Sequence, residues 1–397
     1  MSGVFGVLQK NMLPAEVVVL LLISMIMLIL GILLVPVYAG FLPYYEDGLF
    51  GLLILVAALQ ILVLGKSPFG DVSRSFSTVL LGVAVAVFGI AVCFLPDVFL
   101  ELPRFLLIVF FGIGGAVQLI QLYQKRKTTG QWAADPLLRN LPIISTCLYS
   151  FSVLIGVLLI FQSQVAGLLM CAMVLAYGII LFGFAFYLRI VYLKYPLQEP
   201  ADSLNLSTGN VLLLLTGIFM VVLGLLLVPV NFGLLPFSPS AQLGLLLVIL
   251  AVQMMLLGET PLGSFPRTHL MVAVGTAFGV LGVVCCLIPD VLLGAATVLI
   301  ALGNIAGGIL GLGRLAAMRK TVSEIPENTP ASSLYARMIV FMLVMNMLTI
   351  LFGTSMLIPT LLPGLVIGIV LAANGVFLLL LVCLLQKLNG LEASAAA

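Results

Sequence analysis

Landmark residues between positions 36 and 128 return 193 positions later with no insertion, and this repetition constrains the fold more than any other feature of the chain. Pro36, Gly40, Pro43, Gly51, Gln60 and Gly65 come back as Pro229, Gly233, Pro236, Gly244, Gln253 and Gly258. Gly82, Gly89 and Cys93 come back as Gly275, Gly282 and Cys286, Pro96-Asp97-Val98 as Pro289-Asp290-Val291, and Lys127-Thr128 as Lys320-Thr321. A register held this long is the mark of gene duplication and fusion. The two halves are therefore expected to share one architecture and one orientation.

What each half must be follows from its solubility. Hydrophobic residues make up 63% of the chain and charged residues 8%, and the mean hydropathy is +1.34, far from the usage of a soluble domain. Apolar runs of the roughly 20 residues needed to cross a bilayer recur six times per half. They centre near Met25, Val56, Val85, Phe110, Leu154 and Ile179, then near Phe219, Val248, Gly279, Ala301, Leu348 and Leu371. The expected fold is an all-α polytopic membrane protein with twelve transmembrane helices in two parallel six-helix repeats, residues 1–194 and 195–397. The first run is too long for a signal peptide and its copy lies in mid-chain, so it reads as a retained helix. All six cysteines fall inside apolar runs without CxxC spacing and read as reduced core thiols.

Orientation follows from Lys and Arg. On the twelve-span map fifteen of the sixteen fall on one side, Arg104 alone on the other. This places both termini in the cytoplasm and the chain in the cytoplasmic membrane. The net charge of +2 is then a topology signal and gives no reason to expect nucleic acid. Lys125-Arg126-Lys127 and Arg319-Lys320 would lie beside anionic lipid, and the segment from Tyr195 to Asn210 joins the halves.

Each half reads as three helix hairpins whose first helix carries a Gly followed by a Pro: Gly31 to Pro36, Gly89 to Pro96, Gly224 to Pro229, Gly282 to Pro289 and Gly353 to Pro359. The hairpin at Gly156 has Gln162-Ser163-Gln164 in place of the Pro. Since Pro cannot continue the hydrogen-bond ladder, each marks a span terminus. In Pro96-Asp97 and Pro289-Asp290 the Asp is then placed to cap the next helix.

Chemistry is sparse. One histidine, His269, excludes bis-histidine haem and multi-His metal sites, and no nucleotide, metalloprotease or serine-hydrolase motif occurs, so neither a cofactor nor enzymatic activity is expected. All fourteen Asp and Glu residues map to span ends or loops, which argues against proton- or sodium-driven accumulation. The spans instead carry neutral amides: Gln60 and its copy Gln253, with Gln118, Gln121, Asn304, Asn346 and Asn374. Gln60, Gln253, Asn304 and Asn374 are the candidate pathway residues, with Gln60 and Gln253 able to face each other across a pseudo-two-fold axis. The alternative is that such amides join helices, each worth about 1 kcal/mol. Gly112-Ile113-Gly114-Gly115 and Gly303-Asn304-Ile305-Ala306-Gly307-Gly308 permit close helix approach.

Phe88-Gly89-Ile90 with Leu95-Pro96, Leu281-Gly282-Val283 with Ile288-Pro289, and Ala176-Tyr177-Gly178-Ile179 resemble the HdeD-like acid-resistance membrane proteins. The resemblance covers most of each half and implies two fused family members with a structural or stress-protective role. It carries over no site residue. A second class stays open: Gly65-Lys66-Ser67-Pro68-Phe69-Gly70-Asp71 with Arg74 resembles the loop between spans two and three of major-facilitator solute transporters, although their halves divide into three-helix inverted repeats. A third is a scaffold subunit of a membrane complex. The expected partners are the lipid bilayer and either a second copy of the chain or a membrane-complex protein.

Overall fold

The structure, a computed structural model, describes residues 14–71, 75–128, 136–161, 167–195, 208–265, 269–322, 330–358 and 360–396. Arg74, the turn Gln162-Ser163-Gln164, Pro359 and most of the segment between Tyr195 and Asn210 lie outside the described residues. The helices are α1 (Ala15–Tyr38), α2 (Glu46–Leu59), α3 (Phe76–Phe94), α4 (Leu102–Ile108), α5 (Gly114–Thr128), α6 (Pro136–Ile160) and α7 (Gly167–Lys194). They continue with α8 (Thr208–Asn231), α9 (Pro239–Leu257), α10 (His269–Leu287), α11 (Leu293–Val322), α12 (Pro330–Leu357) and α13 (Gly364–Ala396). Among the described residues twelve helices are long and apolar enough to cross a membrane. Two are composite: α2 runs on through a π-helical turn at Gln60–Leu64, and α4 joins α5 through another at Val109–Ile113. The protein is thus an all-α, multi-pass chain, and its only strands among the described residues are two short hairpins, β1 (Lys66–Ser67) with β2 (Gly70–Asp71) and β3 (Glu259–Thr260) with β4 (Gly263–Ser264).

The helices fall into two compact units. One holds α1–α7 with α9 and α10; the other holds α8, α11, α12, α13 and the β3–β4 hairpin. Close approach inside both is set by glycine. In the first unit a Cβ on Gly31 of α1 would lie 2.8 Å from the Leu175 Cβ of α7, one on Gly51 of α2 would lie 2.6 Å from the Gly89 carbonyl oxygen of α3, and Gly156 of α6 faces Gly112. In the second unit Gly224 of α8 faces Ala372 of α13, and Gly353 of α12 faces Ala301 of α11. With Gly282 of α10 against Gly244 of α9, all six glycines that mark the hairpins in the sequence sit at helix crossings. The crossings join the first span to the sixth, the second to the third and the fourth to the fifth. These glycine crossings are shifted by one helix from the expected hairpins, of which the third in each half, α6 with α7 and α12 with α13, also packs together.

The Pro-Asp turns also differ from expectation. Asp97 and Asp290 take left-handed backbone, φ 60° and 65°, a conformation Asp tolerates better than most residues. The helix after Asp97 starts only at Leu102, with Glu101 at its N-cap position, and α11 starts at Leu293, three residues beyond Asp290. Asp97 is a hydrogen-bond donor here: its backbone N–H donates to the Asp47 carboxylate at 2.8 Å. Asp97 turns the chain, and Asp47, in the first turn of α2, supplies the accepting oxygen. Pro36 and Pro229 lie inside α1 and α8, close enough to the helix ends that the lost donor interrupts only the last turn.

Two hydrogen bonds in the first unit are reciprocal. The Tyr45 N–H donates to the Leu287 carbonyl at 2.9 Å, and the Ser238 N–H donates to the Phe94 carbonyl at 3.0 Å. Position 238 is the copy of 45, and 287 is the copy of 94. Cys93 and its copy Cys286 lie within interaction range of each other, and their thiols donate to the Gly48 and Ala241 carbonyls, both at 3.7 Å.

Candidate functional site

The site is built around the end of α2. There the helix widens into its π turn and stops at Gly65, whose φ of 62° reverses the chain into the β1–β2 hairpin. The hairpin is pinned from within, since the Ser67 hydroxyl donates to the Gly70 carbonyl at 3.0 Å and accepts the Phe69 N–H at 3.2 Å. It is pinned from outside by α5, where Gln118 and Gln121, one turn apart on the same face, donate from Nε2 to the Pro68 and Phe69 carbonyls at 2.7 and 2.9 Å. The Gly114 position, pressed against the Pro68 carbonyl, admits no side chain.

Beside this hairpin, among the helices of the first half, lies a cavity of about 210 Å³. That is many times the roughly 10–15 Å³ a single water needs by the same measure. Its polar wall comprises Glu16, Gln60, Lys66, Ser67, Gln118, Tyr149, Ser152 and Tyr177, and the remainder is apolar. A second cavity of about 130 Å³ adjoins it at the hairpin and shares Lys66, Ser67, Gln118 and Tyr149 as wall. A third, of about 50 Å³, adjoins it at the opposite end and reaches Tyr38, Tyr44 and Glu46. The chamber and this third cavity share only Leu53, Leu107 and Phe111. An apolar constriction thus separates a polar chamber from the far end of the bundle.

Each end of the chamber is held by identifiable contacts. At the hairpin, the Glu16 carboxylate is ion-paired with Lys66 and accepts the Tyr192 hydroxyl, which ties α1, β1 and α7 together. With Lys66 42% and Glu16 18% exposed, the pair is closer to the surface regime of about 0–1 kcal/mol, so its main effect is positional. At the constriction, the Phe111 carbonyl accepts the Ser152 hydroxyl of α6 at 3.0 Å as well as the Gly114 N–H that closes the π turn. The Phe111 ring meets Tyr177 of α7 edge to face, with centroids 6.1 Å apart, and Tyr177 in turn bonds Ser152. Outside the spans, burial pushes the Tyr44 phenol well above its usual range and keeps it protonated, beside the Glu46 carboxyl of the same wall.

Of the residues singled out in the sequence, Gln60 is in the chamber wall and its side chain has no hydrogen-bond partner among the described residues. Gln253 is half-buried on α9 and is not part of that wall, so the cavity does not bring the two together. Asn304 donates to the Ile300 carbonyl of its own helix at 2.9 Å. Asn374 keeps a buried Oδ1 without a partner, on α13. Pro96, Asp97, Pro289 and Asp290 make turns away from the cavity. Among the described residues no group of three or more His, Cys, Asp or Glu is placed to hold a metal ion.

Glu16, Lys66, Tyr149, Ser152, Tyr177 and Phe111 were not legible as site residues. The one signal that could have found them is divergence between the copies: Glu16, Lys66, Phe111 and Gln118 correspond to Gly209, Glu259, Asn304 and Gly311. Compared with known proteins, the chain matches no family model, no curated protein and no solved structure.

Proposed function

We propose that the first six-helix repeat forms a pathway for a small solute, that the second repeat is its structural partner, and that the chain performs no enzymatic chemistry. The observation that carries this reading is the file of three cavities running from the β1–β2 hairpin to Tyr38 and Tyr44, with one apolar constriction at Leu53, Leu107 and Phe111. Apolar constrictions gate by excluding water, and Phe111 sits on a π turn, a helix irregularity frequent at functional sites.

The tandem architecture, two parallel repeats over 1–194 and 195–397, is supported by contacts that recur between copies. Gly31 against Leu175 and Gly178 against Leu28 have counterparts in Gly224 against Ala372 and Gly375 against Val221. The reciprocal bonds of Tyr45 and Ser238 have the form of an isologous, two-fold contact. The Lys and Arg distribution supports cytoplasmic termini. A stress-protective role, as the HdeD-like resemblance implies, is compatible with such a pathway.

Purified protein in liposomes tests the proposal by stopped-flow light scattering after a hyperosmotic step in glycerol or urea. Phe111→Ala, which removes the ring from the constriction, should raise solute permeability above that of wild type and of empty vesicles. The flux should be unchanged by a pH or sodium gradient. Phe111→Ala vesicles indistinguishable from empty ones would refute the pathway.

A further inference from the structure

Resting on that pathway, we infer that the chamber recognises small uncharged solutes of the carboxamide or urea class, and that Gln60 is the residue that recognises them. The other polar groups of the wall have partners of their own. Gln118 donates to the Pro68 carbonyl, Ser152 is engaged by the Phe111 carbonyl and Tyr177, and Glu16 is taken by Lys66 and Tyr192. Gln60 alone combines a place in the chamber wall, an interior position in its span and a side chain with no partner among the described residues.

A primary amide held in this chamber wall offers an acceptor oxygen and a donor NH₂ side by side in one plane. The complement of that pattern is a solute that also presents a donor and an acceptor side by side. A carboxamide or urea does so, and both are small enough for a chamber of about 210 Å³. Charge is selected against. The chamber's only charged side chains, Glu16 and Lys66, neutralise each other, and beyond them a solute must pass Leu53, Leu107 and Phe111, where a desolvated ion has no partner. The π turn that begins at Gln60 and ends against Gly65 gives this side chain a helix geometry that the regular α9 does not give Gln253.

The test uses the Phe111→Ala protein in liposomes and compares urea, acetamide, glycerol and sodium formate. The expected order puts urea and acetamide above glycerol, with formate at the level of empty vesicles. Adding Gln60→Leu should lower the urea and acetamide flux about tenfold, the equivalent of one net hydrogen bond, while glycerol changes less than about twofold. Gln60→Met, unbranched and of similar length, should behave as Gln60→Leu does and replaces it if that variant fails to elute as a monodisperse peak. Gln253→Leu should leave selectivity unchanged. A conducting protein whose urea-to-glycerol ratio ignores Gln60 overturns the inference and leaves the pathway standing. A Phe111→Ala protein that conducts nothing overturns both.

Discussion

Replacing Gly224 by alanine measures how far glycine sets the helix crossings. A Cβ at this position in α8 would stand 2.5 Å from the Gly368 carbonyl oxygen and 2.7 Å from the Ala372 Cβ of α13. Ordinary contact starts near 3.4 Å, so the two helices must separate by the better part of an ångström. A radial gap of about 0.5–1 Å forfeits a quarter to a half of each dispersion contact along the crossing. Because the obstructing atoms include backbone and cannot rotate away, the cost belongs at the upper end of the roughly 1–3 kcal/mol for overpacking, about 3 kcal/mol. Gly31→Ala should cost less, about 1–2 kcal/mol, because the atoms it would meet, the Cβ, Cα and N of Leu175, stand farther off, at 2.8, 2.9 and 2.9 Å. A methyl group on Gly183 of α7 would meet nothing within 4 Å, so Gly183→Ala should stabilise by about 0.5–1 kcal/mol through reduced backbone entropy in the unfolded chain. The assay is unfolding of the purified protein by SDS, followed by circular dichroism, with the three variants in parallel. If Gly224→Ala unfolds within about 0.5 kcal/mol of Gly183→Ala, below the smallest overpacking cost, the crossing is not set by glycine and the reasoning fails.

The facing thiols offer a second test: with the other four cysteines changed to alanine, mild copper–phenanthroline oxidation should join Cys93 to Cys286 within one chain. The product should migrate faster on a non-reducing gel and revert with dithiothreitol, and a folded protein that forms no such cross-link would show that the pair is not in contact. A third test uses pH. Burial raises the Glu259 carboxyl above its ordinary range, so the folded chain holds that proton more tightly than the unfolded chain does. The associated stability is complete below the ordinary carboxylate pKa and is lost as pH rises through the raised value. Glu259→Gln should therefore raise the unfolding midpoint at about pH 7 and leave it unchanged at about pH 4; an equal gain at both would point to packing instead of charge.

The sequence was legible wherever hydrophobic length decides the outcome. All twelve apolar runs correspond to helices able to cross a membrane, because hydrocarbon admits no other use of a long apolar segment. The partners of those helices were less legible. Gly31, Gly89 and Gly156 were visible as periodic landmarks, but their periodicity does not say which neighbour each meets, and a short loop pointed to the wrong one. The Asp of the Pro-Asp turns was visible too. Its left-handed backbone was not, since Asp serves equally well as a cap and as a turn residue.

The chamber was the least legible part, and the reason lies in how it is made. The offset between copies stays at 193 across both π turns, from Gly51 with Gly244 through Gly65 with Gly258 and on to Gly114 with Gly307. The widened turns therefore arise without an inserted residue, and no pattern of spacing records them. What differs is the side chain at a few positions. In the second copy Asn304 sits in the regular helix α11 and its side chain donates to the carbonyl four residues back; in the first, Phe111 occupies that position in the π turn and its carbonyl accepts the Ser152 hydroxyl of α6. The Phe111 ring stands in the wall between two cavities. Identity between the copies thus marks what holds the bundle together, Gly51 with Gly244 and Gly89 with Gly282. The positions where the two copies carry different groups, Glu16 with Gly209, Lys66 with Glu259, Phe111 with Asn304 and Gln118 with Gly311, surround the chamber in the first copy. Gln60 falls outside this division. It is kept in both copies, yet only in the first does it begin a π turn and line this chamber, so its function is set by its neighbours and not by its own identity.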